Sequence, residues 1–237
     1  MKLFKNSIVL LVVLSIFVAC FCSPAFALFE KEDYFATGLN PERDYLIVVN
    51  ADHPYEFGGS YDQALQDDLV YISDVYGEAT PIEKGALLAF SQLQAALHDE
   101  GMTVGLFSAY RTEEDQEWVY NYYGSLAGWA EDNPAQLPGY SEHHTGLLLN
   151  VVILYPGETN EPIWYTETAE RQQNIPYFKL LHENLADFGF IDRYPAGKED
   201  VTGVPCEPYE IRFVGSSSVA HEIMDHGLCL EEYLYGE

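Results

Sequence analysis

Positive charge is what this chain has least of: 11 Lys and Arg stand against 38 Asp and Glu, for a net charge of −27. A nucleic-acid binder needs a basic footprint to displace counterions from phosphate, and none is present. The same imbalance argues against electrostatic adhesion to anionic wall polymers or lipid headgroups. It suits a soluble acidic surface in an extracellular medium. Cysteine is scarce as well. Of four, Cys20 and Cys22 lie in an apolar N-terminal segment, which leaves Cys206 and Cys229, and an oxidising exterior permits a disulfide between them. Internal repeats are absent, and so is any Gly-, Ser- or Pro-rich linker that would divide the chain. Apolar residues make up 48% and aromatics 14%, which excludes a disordered acidic tail.

Lys2 and Lys5 precede an apolar stretch from Ile8 to Val18, and Ala25-Phe26-Ala27 is a small-x-small cleavage site. Residues 1–27 are therefore expected to be a signal peptide, and the protein secreted or associated with the cell wall. Two rivals stand beside this. Phe17-Val18-Ala19 before Cys20 matches the lipoprotein pattern poorly. An uncleaved anchor would need about 20 apolar residues, and the core is shorter. Loss of Lys2 and Lys5 would make the mature chain more acidic still, and enough residues remain for one domain with a full core.

Residues 28–63 read as an N-terminal extension wrapped on the core, with a strand at Tyr45-Leu46-Ile47-Val48-Val49. Residues 64–237 read as one domain. Thr80-Pro81-Ile82-Glu83 carries a cap, a proline at the first helical position and a Glu three after the cap. Ala86, Leu87, Phe90, Leu93 and Leu97 then recur at helical spacing up to Gly101. A strand is expected over 102–107, and a helix opening at Thr112 with Glu113, Glu114 and Asp115 at its positive end. Further helices are expected at about 177–188 and 217–226, and a last strand over 209–214. The order suits an α+β domain with a small, mainly antiparallel sheet flanked by helices.

Ser141-Glu142-His143-His144-Thr145-Gly146 runs straight into Leu147-Leu148-Leu149-Asn150-Val151-Val152-Ile153-Leu154. An apolar run of this length after a Gly reads as a buried strand. Asn150 then lies among Leu and Val, where an unpaired amide costs roughly 1–3 kcal/mol. It needs a partner.

These residues resemble the zinc D-Ala-D-Ala carboxypeptidases, the group that includes the vancomycin-resistance D,D-carboxypeptidases. Their first metal motif is Ser-x-His-x-x-Gly-x-x-x-Asp; Ser141, His143 and Gly146 match, and Asn150 stands at the Asp. Their second, Glu-Pro-Trp-His, appears as Glu207-Pro208-Tyr209-Glu210. Ser108-Ala109-Tyr110-Arg111, Gln116, Pro138-Gly139, Gly189-Phe190-Ile191, Arg193-Tyr194-Pro195, Gly197-Lys198-Glu199, Thr202-Gly203 and Leu230-Glu231-Glu232-Tyr233-Leu234 match in family order, over roughly residues 64 to 235.

The resemblance implies the family's α+β fold, a peptidoglycan stem peptide ending in D-Ala-D-Ala as partner, and zinc as cofactor. It assigns the catalytic base to Glu207 and the cation for an oxyanion or terminal carboxylate to Arg111. Ser141, Gln116 and Tyr209 join Arg111 as substrate-binding positions, and His143, Asn150 and Glu210 occupy the metal-ligand positions. His, Asp and His carry one negative charge, and so do His143, Asn150 and Glu210. Donor quality falls, however, because an amide is a poor zinc ligand and a carboxylate is harder than imidazole. The metal site is thus read as degenerate, with a non-catalytic peptide- or protein-binding monomer as the alternative to a working peptidase.

Each position also has a plainer reading. Arg111 is either an anion anchor or a surface ion pair, and Ser141 either caps its turn or binds substrate. Cys206 is either a thiolate ligand or, more commonly, a buried structural thiol. His144 points away from His143 in an extended chain. His182, His221 and His226 read as surface or capping residues. Glu207 and Glu210, three apart, need the bend at Pro208 to reach one point.

Overall fold

The computed structural model describes residues 39–125, 133, 135–154 and 176–236. The expected signal peptide, residues 28–38 and the polar run after Leu154 up to residue 175 lie outside them. Helix α1 (Ser60–Asp68) leads into a hairpin of β1 (Leu69–Ser73) and β2 (Ala79–Glu83), with Leu69 opposite Glu83. Then follow α2 (Lys84–Asp99), β3 (Thr103–Ser108), α3 (Glu113–Ser125), a 3-10 turn (Glu142–Thr145) and β4 (Leu148–Leu154). The chain closes with α4 (Pro176–Leu185), β5 (Phe190–Asp192), α5 (Glu199–Thr202), β6 (Glu210–Phe213), α6 (Ser217–Asp225) and α7 (Leu230–Tyr235). The main sheet has the order β3-β4-β6-β5, antiparallel throughout. This is the expected α+β architecture.

The core lies between one face of that sheet and helices α2 and α4. Phe90, Leu93 and Leu97 meet Phe178, Leu181 and Leu185 over Leu149, Val151, Ile153 and Phe213. Because side chains alternate along β4, Leu148 and Asn150 fall on the other face, where Leu148 packs with Tyr194 and Val204. The amide inside the apolar run is therefore not in the helix-covered core at all. It sits on the face that carries the site.

Two local expectations fail for identifiable reasons. Thr80 and Pro81 lie in β2, and α2 begins at Lys84, capped by Glu83, whose carboxylate accepts the Ala86 N–H at 2.6 Å. Glu83 also lies 3.3 Å from the buried Arg43 guanidinium, a tertiary tie that favours it over Thr80 as the cap. Residues 45–49 form no strand. The carbonyls of Tyr45 and Ile47 instead accept from the Arg212 guanidinium at 2.9 and 3.1 Å. Tyr45, Val48, Val49 and Tyr55 are buried, and α1 runs across residue 63, so the segment read as an extension contributes to the core. Cys206 and Cys229 are both buried, and no disulfide joins them.

The hairpin tip covers the β3 edge of the main sheet at Gly105 and Leu106. Val75 N–H bonds Leu106 O at 3.0 Å, and a Cβ on Gly105 would stand 2.2 Å from Val75 Cγ1. Only glycine lets the tip lie that close, and an edge so covered is not available for pairing with another chain.

Candidate active-site cleft

The site forms where β3 ends and the 3-10 turn begins. The β3–β4 register shifts between Leu106 and Ser108, and Ser108 pairs opposite Asn150. Beyond it Arg111 N–H bonds His143 O at 3.2 Å, and His143 Nδ1 lies 2.5 Å from Ala109 O. A carbonyl only accepts, so Nδ1 carries the hydrogen and Nε2 faces the centre. His144 uses both ring nitrogens on backbone, Nδ1–H to Arg111 O at 2.8 Å and Nε2 from Gly139 N–H at 3.0 Å. It staples the loops and takes no ligand position, as expected.

The turn itself is clamped from behind. Glu142, fully buried, accepts from Arg193 Nε at 2.6 Å and from Arg212 Nη1 at 2.5 Å. Arg193 reaches on to both oxygens of Glu231, at 2.6 and 2.9 Å. Glu231 thus meets the Arg193 fork and Glu142 bridges two guanidiniums, so both oxygens of each carboxylate are paired, which makes the buried charges tolerable. The sequence reading gave Glu142 no role. A charged residue beside a ligand position, with Arg193 in a later motif and Arg212 in the expected last strand, was the available signal.

Asn150 and Glu210 are direct cross-strand partners in β4 and β6. Glu210 Oε1 lies 3.3 Å from Asn150 Nδ2 and 3.3 Å from His143 Nε2. Pro208 makes the bend the spacing called for: Glu210 N–H turns back to Glu207 O at 2.9 Å, and the two carboxyl groups hydrogen-bond each other. Burial, then the Glu210 charge, pushes the Glu207 carboxyl well up, so Glu207 holds the proton of the pair. Burial opposes ionisation of Glu210 too, but His143 and Arg111 outweigh it and hold its pKa down. Burial, then the Arg111 charge, lowers His143, against the opposing pull of Glu210. All of the resemblance-assigned centre, Arg111, His143, Asn150, Glu207 and Glu210, is therefore brought together.

The flanking residues divide. Arg111 is half-buried, with neutral partners Ser108 Oγ at 3.1 Å and Gln116 Oε1 at 3.2 Å, and among the described residues it forms no ion pair. The surface-ion-pair reading is thereby removed. Burial lowers its pKa, offset in part by the fields of Glu210, Tyr123 and Glu207. Gln116 is buried, and its Nε2 donates to Gln136 O at 2.7 Å, so both amide ends are engaged and it orients Arg111. The Tyr209 hydroxyl hydrogen-bonds Glu207. Ser141 makes no capping bond, and its buried Oγ has no partner among the described residues. His182 is neither a cap nor a surface residue, because its Nε2 donates to Pro208 O at 2.8 Å.

The fit of zinc can be judged from the donors. Nε2 of His143 is held as a ligand imidazole should be, its other nitrogen bound to a carbonyl. The other two positions are less suited: Glu210 supplies a carboxylate where the family has imidazole, and Asn150 turns its amide nitrogen, not its oxygen, toward that carboxylate. Among the described residues no group of three His, Cys, Asp or Glu is placed to hold a metal ion. A three-ligand zinc site of His and carboxylate type is not what these residues make.

Comparison with known proteins places this geometry. The family VanY, D-alanyl-D-alanine carboxypeptidase, matches residues 80–216. The Bacillus subtilis protein YodJ is 32% identical over 208 residues, covering 86% of this chain and 71% of its own. A D-alanyl-D-alanine carboxypeptidase of Enterococcus faecalis is 31% identical over 202 residues, 81% of this chain and 66% of its own. Among solved structures, a mutant of the vancomycin-resistance D,D-pentapeptidase VanY in complex with Zn(II) superposes with a TM-score of 0.60 at 28% identity, covering 80% of this chain and 98% of that one. The LD-carboxypeptidase LdcB gives a TM-score of 0.65 at 28% identity, covering 80% and 85%. The chain belongs to the VanY D-alanyl-D-alanine carboxypeptidase family.

Proposed function

We propose that this is a secreted member of the family that binds peptidoglycan stem peptides ending in D-Ala-D-Ala and has given up tight zinc binding and, with it, metal-assisted hydrolysis. One observation carries the reading: at the ligand positions, Glu210 Oε1 accepts from Asn150 Nδ2 at 3.3 Å and lies 3.3 Å from His143 Nε2. A metal would have to displace the Asn150 bond and turn the amide around. Peptide recognition does not require a metal at that centre. Among the described residues Arg111, half-buried, forms no ion pair and the Ser141 hydroxyl has no partner, a state that costs roughly 1–3 kcal/mol until a ligand answers it. VanYB, 28% identical with a TM-score of 0.59, has been solved in complex with D-alanine-D-alanine, which supports the same ligand here.

Binding of an acetylated peptide ending in D-Ala-D-Ala is measured by titration calorimetry. Arg111→Ala is expected to weaken it by roughly 1.5–3 kcal/mol, the range for a charge-assisted bond. Equal affinity in parent and variant would remove Arg111 from the site, and no binding by the parent would remove the function. Export with cleavage after Ala27 belongs to the same reading, and mass spectrometry of secreted protein should give Leu28 as its first residue.

A further inference from the structure

The turn that delivers both carboxyl groups, residues 207–210, has few backbone handles. Glu207 N–H bonds Tyr194 O at 3.1 Å, Glu210 N–H closes the turn, and Tyr209 O accepts from Val151 N–H at 2.9 Å. Pro208 has no N–H, so its carbonyl is the one backbone group through which that residue can be tied. That carbonyl accepts from His182 Nε2 at 2.8 Å, across from α4. Behind the ring, Nδ1 lies 3.5 Å from Asp192 Oδ2, and the two side chains are only 17% and 9% exposed.

Asp192 stands on β5 opposite Ile211 of β6, the residue after Glu210. Its carboxylate is therefore mounted on the strand pair that also carries the site. Its other oxygen, Oδ1, is buried and has no partner among the described residues. A space-filling residue at 182 would need neither a donor toward Pro208 nor a carboxylate behind it. Nε2–H holds the turn, and where the ring carries both hydrogens its Nδ1–H faces the Asp192 carboxylate.

We propose that His182 is a positioning residue for the Glu207–Glu210 turn, with Asp192 standing behind its ring. It touches no ligand and acts through the Pro208 carbonyl alone. The peptide readout below rests on the function proposed above, whereas the spectroscopic one does not.

The test compares His182→Phe, which keeps bulk and loses the donor, with His182→Gln, which keeps a donor. Carboxyl carbon NMR shifts of Glu207 and Glu210 should move in His182→Phe and stay near parental in His182→Gln. Affinity for the D-Ala-D-Ala peptide should fall roughly tenfold in the first, the size of one lost hydrogen bond, and within about twofold of parent in the second. Unmoved shifts in folded His182→Phe would overturn the proposal, as would equal shifts in both variants. If the parent binds no peptide, the proposed function fails while the carboxyl shifts still decide on His182. If His182→Phe does not fold, nitrogen-detected imidazole spectra of the parent decide: hydrogen on Nε2 supports the tie, and a bare Nε2 refutes it.

Discussion

Glu142 is where a single change should do most damage. It is fully buried between Arg193 and Arg212, accepting at 2.6 and 2.5 Å. In Glu142→Gln the volume is kept and the charge is lost. Arg193 retains Glu231, with bonds of 2.6 and 2.9 Å. Arg212 retains only carbonyls, those of Tyr45, Ile47 and Phe213. One buried guanidinium is left uncompensated, which costs about 3–5 kcal/mol. For a chain of this size that lowers the melting temperature by about 6–20 °C. Urea unfolding at neutral pH, followed by far-UV circular dichroism, measures it. Replacing Glu142 and Arg212 together with methionine should recover much of the loss, because no charge is then left unpaired. A cost below about 1 kcal/mol for Glu142→Gln, the worth of an exposed pair, would refute the clamp.

Acid should loosen the same network. Burial opposes ionisation of Glu231, but Arg193 outweighs it and holds the carboxyl below its usual value. Its stabilisation is therefore complete above the unfolded carboxyl pKa of about 4.3 and is lost as pH falls through the lower folded value. Glu231→Gln should be less stable than the parent at neutral pH and lose less on acidification; a loss equal to the parent's between about pH 5 and 3 would contradict this. Gly105→Ala should cost about 1–3 kcal/mol by driving a methyl into Val75, and Val75→Ala in the same chain should restore most of it. Thermal melts of the three variants decide, and an unaffected Gly105→Ala would show that the hairpin tip is not seated as described.

The sequence was most informative where short-range chemistry acts alone. The apolar face of α2 and the Thr112 start of α3, with Thr112 Oγ1 accepting the Asp115 N–H at 3.1 Å, follow from local pattern. So does the stop at Gly189, which has φ of 72°. The five residues of the centre were legible only as motif positions, and nothing in their spacing showed that Glu210 would face Asn150 across two strands. Tertiary partners overrode local signals elsewhere. Arg212 took the carbonyls that a strand at 45–49 would have used, and Arg43 helped make Glu83 the cap instead of Thr80. His182 looked like any helical histidine because its partner, the Pro208 carbonyl, is 26 residues away and carries no side-chain signature.

The account turns on whether the ligand positions have stopped making a tight zinc site. Zinc content after purification from zinc-supplemented medium and dialysis, with affinity by competition against a chelating dye, tests this most directly. The parent should keep well under one zinc per chain. Asn150→Asp with Glu210→His exchanges one carboxylate for another, leaves ligand charge unchanged, and should retain one zinc per chain, with either single change doing less. A parent that carries a full equivalent of zinc through dialysis, or a double variant that binds no more tightly than the parent, would contradict the account.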